Sequence, residues 1–349
     1  MRIKLVLLLG VGVFLSNCST EDTNYNELDK EGDGYSFVVP TNFPELKYKF
    51  VNNEITKSGV ELGKKLFHDP RLSEDNTVSC ASCHDKKAAF SDRGKAFSIG
   101  LEGQVGKRNA PPIQNMAFND EYFYDGASNN LEMVSIVPIH NPVEMRETLP
   151  TIMDKLRDDQ SYQILFNKAY KDVKMTTTSM LKALAQYMTV LVSSNSKYDK
   201  YIRNEPGGEL SSTELHGLTL YRQNCASCHA TDLFTDNSFR NNGLRVNPVL
   251  DDKGRYEVTG QEEDKYAFKV SSLRNVAFTE PYMHDGRFKT LEEVIDFYRF
   301  SVQDSPTLDP LLKQSDGTLG IQFSEEEKKA LLTFLETLTD SEFIDNPAF

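Results

Sequence analysis

The chain has no tryptophan and only five cysteines among its 349 residues. Four of those cysteines sit in two short motifs, so no disulfide framework can staple the fold, even in an oxidising compartment. Basic residues are comparatively few: 39 Lys and Arg against 52 Asp and Glu leave a net charge of −13. That balance argues against nucleic-acid binding and against a basic patch for membrane surfaces. No strong alternation of apolar and polar residues occurs, so an extensive half-buried sheet is not expected. No stretch is apolar enough and long enough to cross a bilayer. The length itself is sufficient for two domains.

The first residues have the layout of an export signal. Arg2 and Lys4 form a positive start, Leu5 to Leu15 is an apolar run, and Ser16-Asn17-Cys18 follows. Residues 1–18 look like a bacterial lipoprotein signal in which Cys18 becomes the lipidated first residue of the mature chain. Asn17 is unusual before such a cysteine, and an ordinary signal with a spectator cysteine is the alternative. Either way the chain is expected to be exported, to the periplasm and its membrane. Residues 19–45 are polar and acidic and read as a flexible tether.

The remaining cysteines define the chain. Cys80-Ala81-Ser82-Cys83-His84 recurs letter for letter as Cys225-Ala226-Ser227-Cys228-His229. A bare C-x-x-C would also suit a redox dithiol or half of a zinc site. Two copies, each ending in histidine, point to covalent c-type haem, with the thiols on the vinyl groups and the histidine as proximal iron ligand. In bacteria such haem is attached outside the cytoplasm, in keeping with the export signal.

The elements around the motifs read as helical. Thr56 caps a helix running through Leu62, Leu66 and Phe67, and residues 147–171 and 177–203 are each read as a helix. Arg203-Asn204-Glu205-Pro206-Gly207-Gly208 is the linker candidate. Ser211 with Glu214, and Ser324 with Glu327, make capping boxes before two later helices. An internal repeat ties the halves together. Asn115…Ala117-Phe118…Tyr122…Asp125-Gly126…Leu131-Glu132 aligns without a gap on Asn275…Ala277-Phe278…Tyr282…Asp285-Gly286…Leu291-Glu292, at an offset of 160 (Tyr124 to His284). The expected fold is therefore mainly α: two tandem cytochrome c-like haem domains with long loops, over residues 46–205 and 206–349.

Several motifs resemble the bacterial di-haem cytochrome c peroxidase and MauG family. They are Leu62-Gly63-Lys64-Lys65-Leu66-Phe67 with Asp69-Pro70-Arg71-Leu72-Ser73, Arg108-Asn109-Ala110-Pro111, Asn141-Pro142-Val143-Glu144-Met145 and Pro281-Tyr282-Met283-His284-Asp285-Gly286. The resemblance spans roughly residues 56 to 340. It implies that the haem of His84 reacts with hydrogen peroxide and that the haem of His229 passes or stores electrons. It makes Glu144 the distal acid, a group that can carry a proton from one peroxide oxygen to the other. It also implies a calcium ion held by Asn109, Thr279 and Pro281, whose asparagine and backbone oxygens are suitable hard ligands. Dimers are frequent in the family, so a homodimer is among the expected assemblies.

Four departures from the family pattern shape the functional reading. No histidine occurs between His84 and His140, so Ser98-Ile99-Gly100-Leu101 cannot supply the residue that blocks the first iron in many relatives. Tyr298 stands where the peroxidases carry a methionine ligand to the second haem, with Met283 as the rival. Tyr124 replaces the tryptophan that relays electrons between the haems, and Val134 replaces a glutamine. The leading expectation is a peroxidase fed by a small donor protein, a cytochrome c or a cupredoxin. The alternatives are a MauG-like oxidase acting on a protein, and a non-enzymatic electron carrier.

Overall fold

A computed structural model of the chain describes residues 33–171 and 175–349. The expected signal peptide and Cys18 lie outside the described residues. No helix among the described residues is long and apolar enough to cross a membrane.

The first half opens with α1 (Lys57–Phe67), capped by Thr56, whose hydroxyl accepts from Gly59 N at 3.0 Å. After a long run of turns come α2 (Ile136–His140), α3 (Leu149–Leu156), α4 (Gln160–Ala169), α5 (Thr177–Val190) and α6 (Lys197–Ile202). Residues 147–171 and 177–203 are thus each two helices rather than one. Asp159 ends the first run by capping α4, accepting from Ser161 N at 2.9 Å, while Ser196 and Asp199 start α6 with a capping box. Short polar side chains compete with the helix for backbone groups, and periodicity alone does not reveal it.

The second half holds α7 (Ser212–Asn224), α8 (Tyr256–Thr259), α9 (Leu291–Phe300), α10 (Glu325–Glu336) and α11 (Ser341–Asp345), with both expected capping boxes present. A two-residue antiparallel pair, β1 (Phe239–Arg240) and β2 (Phe268–Lys269), is in register Phe239 to Lys269. The architecture is mainly α with long loops.

One device recurs in both halves. α1 packs on α5, and α7 packs on α10. Each contact is close because a glycine faces the partner backbone: a Cβ on Gly63 would lie 2.0 Å from Ala183 O, and one on Gly217 would lie 2.1 Å from Ala330 O. Each glycine-bearing helix then leads towards its own Cys-x-x-Cys-His motif. Two cores result. One gathers Leu62, Leu66, Phe67, Met180, Leu184 and Tyr187, and the other Leu218, Tyr221, Phe234, Leu331 and Phe334.

The halves interlock across the linker. Phe343 of α11 joins the first core, 5.6 Å from Phe90, and Tyr198 of α6 joins the second, 4.9 Å from Phe234. Between them lies a buried ion pair, Arg274 to Asp199 at 2.6 Å, with both side chains 0% exposed. The repeat-related Asn115 and Asn275, both in the left-handed region, converge on Ser193. Residues 33–45 do not behave as the expected tether. Phe43 is buried 5.2 Å from Phe118 under the Arg274 guanidinium, and Asn42 donates to Asp199 at 3.0 Å. An aromatic and an amide within a polar stretch are enough to dock it.

Candidate functional site

The two Cys-x-x-Cys-His motifs adopt the same tight turn. His84 N donates to Cys80 O at 3.0 Å, and His229 N donates to Cys225 O at 2.9 Å. His84 Nδ1 lies 2.9 Å from Phe90 O; His229 Nδ1 lies 3.1 Å from both Phe234 O and Ser271 O. A carbonyl oxygen only accepts, so Nδ1 carries the proton in both rings and Nε2 keeps a free lone pair. Burial lowers the pKa of both histidines and so favours this neutral, ligating form.

All four thiols are free. Burial pushes Cys80 and Cys225 up to about 12, which keeps them as thiols. Among the described residues no group of three or more His, Cys, Asp or Glu converges as metal ligands, so the zinc reading finds no site. A cavity of about 650 Å³ opens over Cys80, Cys83 and His84. Its size, the thiols on one wall and a pre-set Nε2 fit a covalently attached haem.

The same cavity is lined by Glu144, Val134 and Pro138. Glu144 is held in place: its Oε1 accepts from Asn141 Nδ2 at 2.7 Å, and its carbonyl accepts from Leu101 N at 3.0 Å. Burial raises the Glu144 pKa, and the Asn141 hydrogen bond only partly opposes this. The 98–101 loop therefore packs onto the backbone of the acid and offers no imidazole to the cavity. No second histidine lines it among the described residues.

Tyr124 lines the same cavity, and its carbonyl accepts from Lys269 N at 2.7 Å. Burial raises its phenol pKa, and the nearby Arg108 charge works against that rise. The cavity also takes Leu233, Thr235, Lys269, Ser271 and Ser272 from the other half of the chain. Sequence reading missed these residues, because nothing local marks a side chain that lines a cavity with a motif 149 to 188 positions away, counted from His84 to Leu233 and to Ser272.

At the second motif, Tyr298 of α9 is half-buried within electrostatic reach of Cys225 and Cys228, and desolvation pushes its phenol up to about 12. Asn242, unmarked in the sequence, donates to Tyr298 Oη at 3.3 Å and lies 3.7 Å from Met283 Sδ. The structure thus brings together the tyrosine and the methionine that sequence reading weighed as rivals. Asn109 is buried at the junction of the halves: its N donates to His284 O at 2.7 Å, and its Nδ2 donates to Lys95 O at 2.8 Å. The segment carrying Thr279 and Pro281 is tied to the same region through Gly94 N and Glu280 O at 2.9 Å.

Residues 57–207 match a family described as di-haem cytochrome c peroxidase. The chain is 33% identical over 326 residues to the methylamine utilization protein MauG of Methylorubrum extorquens, covering 93% of this chain and 89% of that one. It is 32% identical over 318 residues to cytochrome c551 peroxidase of Nitrosomonas europaea, covering 89% and 87%. Among solved structures, a MauG-like protein associated with microbial copper homeostasis superposes with a TM-score of 0.80 at 30% identity, covering 90% of this chain and 99% of the other.

Proposed function

The chain belongs to the di-haem cytochrome c peroxidase family, and from that premise we propose that it reduces hydrogen peroxide to water at the haem of His84. It is an oxidoreductase with two haems c. The overall reaction takes H2O2, two electrons and two protons to two molecules of water. The haem irons supply the redox chemistry. The observation that carries this reading is Glu144, a half-buried acid held by Asn141 in the cavity that His84 also lines, which no second histidine lines among the described residues.

The protein's own groups then have separable roles. His84 Nδ1 on Phe90 O holds the imidazole in its ligating tautomer. Glu144, steadied by Asn141, takes a proton from one peroxide oxygen and returns it to the other, so that water leaves instead of hydroxide. Electrons enter through the half of residues 206–349, from a small exported donor such as a cytochrome c or a cupredoxin, and cross at Tyr124 to the half of residues 46–205. Tyr298, near Cys225 and Cys228, would hold the iron of the second haem through its phenol oxygen. The chain works in the periplasm, tethered by a lipid on Cys18 and assembled as a homodimer. A calcium ion on Asn109, Thr279 and Pro281 ties the halves together.

A second reading has its own support. Tyr298 beside Cys225 and Cys228 suits a second haem that stores oxidising equivalents, as a MauG-like oxidase of a protein substrate would need. One experiment separates the two. Ferric protein receives one equivalent of H2O2 and is followed by visible and EPR spectra, then by turnover with reduced cytochrome c. Rapid turnover is expected. A long-lived two-electron-oxidised state with poor turnover would move the assignment to the oxidase. Inert protein would leave only electron carriage.

A further inference from the structure

Three cations line the cavity above His84: Lys107, Arg108 and Lys269. Lys107 is exposed. Arg108 is neutralised twice over, donating to Asp125 at 2.5 Å and to Asp252 at 2.6 and 2.7 Å. Lys269 differs from both. It is half-buried, it comes from β2 in the other half of the chain, and its ammonium donates to the carbonyl oxygen of Glu121 at 2.6 Å. The carboxylates nearest to it are engaged elsewhere: Glu121 with Arg255 at 3.1 Å and Asp120 with Lys47 at 3.2 Å. Burial lowers its pKa to about 8, which records how poorly the charge is compensated by the protein alone.

A charge taken out of water is costly until a counter-charge meets it. The cavity that Lys269 lines fits a porphyrin with two carboxylate side arms. We propose that Lys269 binds a propionate of the first haem, so that the C-terminal half of the chain anchors and tunes the cofactor of the N-terminal half. The inference rests on reading this cavity as the first haem site. The backbone makes the anchor rigid, because Lys269 N is bonded to Tyr124 O at 2.7 Å. One residue of β2 therefore fixes the relay tyrosine through its main chain and the haem edge through its side chain. An ammonium beside a propionate offsets negative charge near the iron and favours the ferrous state.

The test uses full-length protein matured with haem, comparing wild type with Lys269→Met and Lys269→Arg. A pyridine haemochrome assay counts haems per chain, and spectroelectrochemistry reads each haem's potential. In Lys269→Met, at two haems per chain, the first haem's potential shifts down by an amount equivalent to about a tenfold fall in its ferrous-to-ferric ratio. The second haem does not move, and Lys269→Arg stays near wild type. Unchanged first-haem potential in fully loaded Lys269→Met overturns the proposal. Fewer than two haems in wild type would instead remove the site reading beneath it. If Lys269→Met fails to mature, Lys269→Arg carries the test: its changed donor shifts the propionate bending band in the resonance Raman spectrum of the first haem, and an unmoved band overturns the proposal.

Discussion

Tyr298 and Met283 meet at one amide: Asn242 Nδ2 lies 3.3 Å from Tyr298 Oη and 3.7 Å from Met283 Sδ. Two side chains with opposite effects on a haem potential thus sit together at the second motif. A phenolate donor favours ferric iron, and a thioether favours ferrous iron. Tyr298→Phe is expected to change the visible and EPR spectra of the second haem and to raise its potential. Met283→Leu should leave both nearly unchanged. The reverse pattern would transfer ligation to Met283.

Glu144 is the residue whose loss should be most specific. Glu144→Gln keeps the Asn141 side of the site but removes the proton carrier, and the rate of reaction with peroxide should fall by about 10²–10⁴-fold. Haem content and resting spectra should stay as in wild type. Burial raises the Glu144 pKa, and the first step needs the carboxylate form. The wild-type rate should therefore rise with pH through a midpoint above the usual glutamate value, and the variant's rate should not. Stopped-flow mixing across a pH series measures both.

Tyr124 offers a test of the relay. A tyrosine gives up an electron only together with its proton, and burial makes that proton harder to lose. Electron transfer between the haems should run slower in D2O than in H2O. Tyr124→Trp should abolish the isotope effect while preserving transfer, because an indole radical keeps its proton long enough to pass the electron. Tyr124→Phe should slow transfer strongly. Equal rates in all three proteins would take Tyr124 off the path.

The Arg274–Asp199 pair should dominate the stability of the junction between the halves. Removing one partner leaves a buried charge, and Arg274→Met should cost about 3–5 kcal/mol in chemical denaturation. Burial pushes the Asp199 pKa up, but the hydrogen bonds and charge of Arg274 push it further down, and the net shift is downward. A depressed carboxylate stabilises the fold above its unfolded pKa. That stability should be lost as pH falls from about 4. Denaturation midpoints from pH 7 down to 3 should drop more steeply in wild type than in Asp199→Asn.

Much of this was legible before any folding was considered. The two haem motifs, the caps at Thr56, Ser211 and Ser324, and the repeat at Asn115 and Asn275 are all local. Each depends on residues within a few positions, where backbone geometry dictates which side chains meet. The helix breaks before Gln160 and Lys197 were also written locally, in Asp159 and Ser196, but helical periodicity outweighed them in the reading.

The functional asymmetry of the two motifs is of another kind. Letter for letter they are the same, and each histidine is set by the same turn and carbonyl contact. What separates them is the company each keeps. Glu144 and Lys269 gather at one, and Asn242, Met283 and Tyr298 at the other. Lys269 is 185 positions from His84 in the sequence, and no periodicity or motif can announce such a neighbour. Contacts of that range follow from how α1, α5, α7 and α10 pack and from where the long loops close. Residue type therefore marked the two Cys-x-x-Cys-His motifs, while packing between distant segments brought Glu144 to the first and Tyr298 to the second.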